Sequence, residues 1–210
     1  MTAAAGQPAR AWWLKTLYRW HRISSAIALV GMLLFAATGL TLNHASQIEA
    51  HPVVVDRKAQ LPAALLAAHA PAAGDTKHDA PLTPDLADWV ASALQVDVHG
   101  RSAEWSADEI YVAMPRPGGD AWVRLDRASG EAELEDTSRG WVSYLNDLHK
   151  GRNAGTAWSW FIDAFAAACL IFSVTGLFIL KMHAGNRPGI WPLVGLGLVL
   201  PVLLAIVFIH

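Results

Sequence analysis

Three long apolar stretches punctuate an otherwise polar chain. Ile23 to Leu42 (ISSAIALVGMLLFAATGLTL) carries no charge over twenty residues, enough for a helix rising about 1.5 Å per residue to cross a hydrocarbon core of about 30 Å. Thr156 to Leu180 and Ile190 to Ile209 are long enough to do the same. The pattern predicts membrane helices over 23–43, 156–180 and 190–210, a basic and aromatic anchor over 1–22, a loop over 181–189 and a hydrophilic insert over 44–155.

Within the insert the periodicity changes along the chain. From Ala45 to about Pro84 the sequence is rich in Ala and Pro without sustained period, and reads as extended linker with at most a short helix over Leu61 to His69. Thr83-Pro84-Asp85 is a helix start, and Leu86, Trp89, Val90, Ala93 and Leu94 then fall on one face. Gly100 to Trp105, Glu109 to Met114 and Ala121 to Asp126 read as strands, with a last hairpin turning at Ala128 to Glu131 into Ala132 to Glu135. The fold class expected is an α-helical membrane protein of three spans, with a small α+β domain (about 83–137) between helices 1 and 2. Trp141, Tyr144, Leu145 and Leu148 recur at helical spacing, so an amphipathic helix leads to the second span and ends near His149. Gly151 and Gly155 permit a bend after it.

Charge orients the spans. Arg10, Lys15, Arg19 and Arg22 before the first, and Lys181 and Arg187 after the second, stand in segments without acids, whereas the insert holds ten Lys/Arg against seventeen Asp/Glu. The positive-inside rule therefore places the N-terminus in the cytoplasm and the insert and C-terminus outside, as expected in a bacterial inner membrane. A cleaved signal peptide shares the basic start, but the apolar run exceeds an ordinary h-region and Asn43 to Gln47 is a weak cleavage site. The only cysteine, Cys169, lies in the second span, which excludes an intrachain disulfide, a CxxC pair and covalent c-type haem. No nicotinamide or flavin fingerprint is present, and no nucleic-acid partner is expected.

Four of the nine histidines stand at the ends of the first two spans. His44 and His149 flank them on the outside, His21 and His183 on the inside, and the 23 positions from His21 to His44 correspond to about 34 Å of helix. Neutral imidazole is the usual protein ligand of b-type haem, so each pair is a candidate for axial ligation near one membrane face. Histidines are also common at interfaces without any ligand. His69 and His78 read as exposed, and His99 as a turn residue. A metal site at His44, Glu49 and His51 has suitable ligands but no recognisable spacing. Asp163 places a carboxylate inside the second span, where it should face the bundle interior, a watery vestibule or a neighbouring chain. Trp105, Tyr111, Trp122 and Trp141 are either core residues or aromatic walls of a substrate pocket.

Arg19-Trp20-His21-Arg22, Thr38-Gly39-Leu40-Thr41-Leu42-Asn43-His44, Leu148-His149-Lys150-Gly151 and Thr175-Gly176-Leu177 together resemble the PepSY-associated transmembrane family, and the helix-plus-strands insert is similar to a PepSY module. The resemblance implies an inner-membrane ferric-siderophore reductase. By it, His21, His44 and His149 fall on the family's histidine motifs, and His183 joins them by position. It implies haem b at two sites, within one chain or across a homodimer, a ferric chelate as substrate, and a cytoplasmic or quinol electron donor beside membrane lipid. The alternative is a non-catalytic, membrane-anchored PepSY module that binds a peptide or a partner membrane protein.

Overall fold

The computed structural model describes residues 6–49, 51–71, 76–183 and 189–209. Three of its helices are long and apolar enough to cross a membrane: α1 (Gly6–Asn43), α5 (Gly155–His183) and α6 (Ile190–Phe208). Between α1 and α5 lie β1 (Val53–Gln60), α2 (Ala63–Ala68), β2 (His78–Pro81), α3 (Pro84–Leu94), β3 (Ser102–Trp105), β4 (Glu109–Ala113), β5 (Gly119–Asp126), β6 (Glu131–Ser138) and α4 (Gly140–Lys150). The chain divides into two compact units: Met1–Leu34 with Phe161–His210, called here the helical unit, and Phe35–Trp160, the sheet unit.

In the helical unit, α1 and α5 meet through small residues. Ser24 and Ala28 on α1 are buried, as are Ala168 and Thr175 on α5. Gly31 lies under the ring of Phe165, whose carbons occupy the place a Cβ would take. Backbones in a membrane approach closely only where such side chains are small. Pro201 lies inside α6, whose span window has none of its residues buried.

The sheet unit holds a six-stranded antiparallel sheet in the order β1-β6-β5-β4-β3-β2. Alternation along β4 and β5 sends Ile110, Val112, Val123 and Leu125 to one face, where α3 lays down Leu86, Ala87, Val90 and Leu94. Each large side chain fully buried here contributes about 1.5–3 kcal/mol. The other face carries Glu133 bridged to Lys58 and Arg124, Lys77 against Glu104, and Tyr111 stacked on Trp122. The expected helix starts at Pro84, and the expected strands form.

The linker expectation is corrected. Residues 53–60 form β1, paired along its whole length with β6 from Val53↔Ser138 to Gln60↔Glu131, and β2 also lies in the supposed linker, whereas α2 falls within the short helix expected over Leu61 to His69. Val53 to Asp56 are all exposed, and only the second half of β1 alternates, with Ala59 packed against the core, so little of the strand shows a period in the sequence. It is an edge strand made by backbone pairing with residues more than seventy positions away. His69 is corrected likewise: half-buried, it engages Leu65 O at 2.9 Å and Thr83 Oγ1 at 3.0 Å and packs beside Trp105, as does His78. Trp105 itself belongs to the core and donates to Ala80 O. His99 does lie in a turn, between the carboxylates of Asp97 (2.7 Å) and Asp88 (3.0 Å).

Candidate functional site

Each unit contains a half-buried histidine held by a threonine that begins a Thr-Gly-Leu sequence. In the helical unit, His21 Nδ1 lies 3.1 Å from both Phe172 O and Thr175 Oγ1, and its ring stacks on Phe172 at 4.6 Å. A carbonyl only accepts, so Nδ1 carries the proton, and Thr175 spends its own hydroxyl hydrogen on the carbonyls of its preceding turn. Nε2 is left with its lone pair. Gly176 lies against the ring, since a Cβ there would sit 3.3 Å from His21 Cε1.

In the sheet unit, His149 Nδ1 lies 2.7 Å from Thr38 Oγ1. Thr38 donates to Phe35 O at 3.2 Å, so it accepts from the imidazole and again leaves Nε2 with the lone pair. Gly39 supplies the room, because a Cβ there would be 3.5 Å from His149 Cε1. Phe35 flanks the ring at 5.0 Å. Locking Nδ1–H and presenting Nε2 is the arrangement that prepares an imidazole for metal ligation.

His149 is positioned by α4, and α4 by the sheet. Gly118 N donates to the buried carboxylate of Asp147 at 2.9 Å, and Arg152 lies 3.3 Å from its other oxygen. Gly118 has φ +71°, and a Cβ there would meet the backbone of Tyr144 at 2.8 Å, so only glycine allows this approach. Thr41 Oγ1 lies 3.0 Å from the buried Asn146 Oδ1. Gly151 (φ +68°) ends α4, Gly155 (φ +79°) precedes α5, and Trp158 Nε1 donates to Leu148 O at 2.8 Å. The expected bend is formed by those two glycines.

The other two histidines have separate partners. His44 is exposed just past α1 and folds back so that Nδ1 donates to Leu40 O at 2.9 Å. His183 donates from Nδ1 to Ile179 O, and its Nε2 accepts from the Tyr18 hydroxyl at 3.2 Å. His183 lies eight residues, or about 12 Å of helix, beyond Thr175. Among the described residues no hydrogen bond or ring contact joins His183 to His21 or His44 to His149. The missing partners of the sequence reading were Thr38 and Thr175, and the signal for them was the recurrence of Thr-Gly-Leu in both spans.

Beside Asn146 is a cavity of about 360 Å³ lined by residues that include Ile48, Glu49, His51, Arg139 and Trp141. Glu49 and His51 thus share a cavity, but no cluster of three metal-ligating side chains exists among the described residues. Asp163 is exposed on α5, and no hydrogen-bond or ion-pair partner is found for it among the described residues. Of the three settings expected for it, the bundle interior is taken by Phe165, Ala168 and Thr175, which occupy the inward face.

Three helices long and apolar enough to cross a membrane, with a sheet-bearing domain between the first two and a threonine-held histidine in each unit, mark a membrane protein. The chain belongs to the Putative PepSY_TM-like family, which it matches over residues 12–210. No curated protein and no solved structure matches it.

Proposed function

We propose that the protein is a haem-bearing electron carrier of the bacterial inner membrane that delivers electrons to ferric iron, chelated by a siderophore or similar ligand, on the side of the insert. The observation that carries this reading is the repeated Nδ1–H donation of His21 and His149, which leaves each Nε2 a free donor. The donor set fits b-type haem, which supplies reversible one-electron transfer when bound. His21 and His149 are its primary ligands. His44, whose Nδ1 also donates to a carbonyl, keeps an available Nε2 and is the second outer ligand. His183 is a weaker inner ligand, because the Tyr18 hydroxyl must leave its Nε2 first.

Thr175 and Thr38 hold the imidazoles in one tautomer and orientation. Such partners ordinarily change metal affinity by about 10–100-fold. The cavity beside Asn146, with Arg139, His51 and Trp141 at its wall, is where a ferric chelate docks.

The decisive experiment is the visible spectrum of the purified protein supplied with haem. A Soret band is expected, with part lost in His21→Ala and the remainder lost when His149→Ala is added. The reduced protein should be reoxidised by a ferric chelate. Absence of haem absorbance after reconstitution overturns the reading and leaves the peptide- or partner-binding module in its place.

A further inference from the structure

We infer that the helical unit carries a binding site for one anionic phospholipid at its cation-rich end; this inference is independent of the proposed electron transfer. A groove of about 440 Å³ runs between the start of α1 and the end of α5, lined by Arg10, Trp13, Leu17, Phe178 and Met182. Arg10, Trp13 and Leu17 fall at i, i+3 and i+7 on α1, and Phe178 and Met182 at i and i+4 on α5, so each helix contributes one face.

The groove itself is apolar, and Arg10 borders it through its aliphatic stem. Arg10 and Met182 stand at the outer ends of the two helices, with Arg10 Nη2 3.5 Å from Met182 O. Leu17 and Phe178 lie deeper, toward the apolar middle of their spans. From Arg10 to Leu17 the helix advances about 10 Å, a length that takes the first part of an acyl chain while the guanidinium meets the phosphate. A ligand with several polar groups along its length finds no polar surface to meet them in this lining.

Charge selects the headgroup. Arg10, Lys15, Arg19 and Arg22 on α1 and Lys181 on α5 surround this end, and the chain has no Asp or Glu before Glu49. The one acid of α5, Asp163, lies toward its opposite end. A zwitterionic headgroup brings its own cation into this field, whereas phosphatidylglycerol brings only the anion. Each cation near such a surface is worth about 1 kcal/mol, or about fivefold in affinity.

The test counts lipids retained by the full-length protein in native mass spectrometry from micelles holding equal phosphatidylglycerol and phosphatidylcholine. Wild type should retain phosphatidylglycerol preferentially, and Arg10→Gln should lower that retention about fivefold. Arg19→Gln, outside the groove, should lower it less than Arg10→Gln, because Arg19 adds only to the surrounding field. Leu17→Trp, which fills the groove, should lower retention of both lipids with helical circular dichroism unchanged. Equal retention of the two lipids, equal losses in Arg10→Gln and Arg19→Gln, or displacement by inorganic phosphate alone each overturns the site.

Discussion

The imidazole of His149 donates from Nδ1 to the hydroxyl of Thr38 over 2.7 Å, joining α4, which hangs from the sheet, to the last turns of α1. The bond fixes which nitrogen carries the proton. Thr38→Val keeps the shape and removes the acceptor, so the ring should lose its fixed tautomer. In ¹⁵N spectra the His149 signals should move from the Nδ1–H form toward a mixture, while Thr38→Ser should restore them. If His149 binds haem, Thr38→Val should also weaken that binding about 10–100-fold.

Asp147 is the anchor of α4. Its buried carboxylate accepts the Gly118 N–H, and Asp147→Ala leaves that donor without its partner. An unsatisfied buried group costs about 1–3 kcal/mol. Hydrogen exchange should accelerate at Gly118 and through α4, with the six-stranded sheet protected as before; unchanged exchange in α4 contradicts this role.

Gly31 sets the approach of α1 to α5 by leaving room for Phe165. Gly31→Val forces the ring aside and should cost about 1–3 kcal/mol, as overpacking ordinarily does. Thermal unfolding in detergent measures the loss. Phe165→Ala added to Gly31→Val should recover part of it, and purely additive effects of the two changes argue against direct contact.

His99 predicts a pH dependence. Hydrogen bonds to Asp97 and then Asp88 raise its pKa above the ordinary 6.5. A raised folded-state pKa stabilises fully below the unfolded value, and the contribution fades as pH rises through the folded one. The Asp97 carboxyl is held low by the His99 backbone N–H and ring, so its contribution is present above 3.8 and lost as pH falls through its lowered value. The stability difference between wild type and His99→Gln should therefore be larger near pH 5.5 than near pH 8.5. All three groups are exposed, so the effect is small and screened by salt; denaturant unfolding of the full chain at low ionic strength reads it.

Local order along the chain was enough to determine the three spans, because twenty apolar residues without charge have few other places to go. It was enough too for α3 and for β4 and β5, whose alternation records a buried face, and for α4, whose apolar spacing and glycine stop are both local. What required the tertiary structure were partners distant in sequence. The edge strand β1 exposes Val53 to Asp56 and takes its conformation from hydrogen bonds to β6, so over that half its side chains carry no period. Asp163 was visible as an anomaly, but its direction depends on which face of α5 meets α1. The histidines at the span ends were equally visible, yet their spacing suggested pairing with one another. Packing added a threonine and a glycine to each half-buried histidine, because hydrogen bonding fixes a ring's direction while depth along a helix fixes only its level.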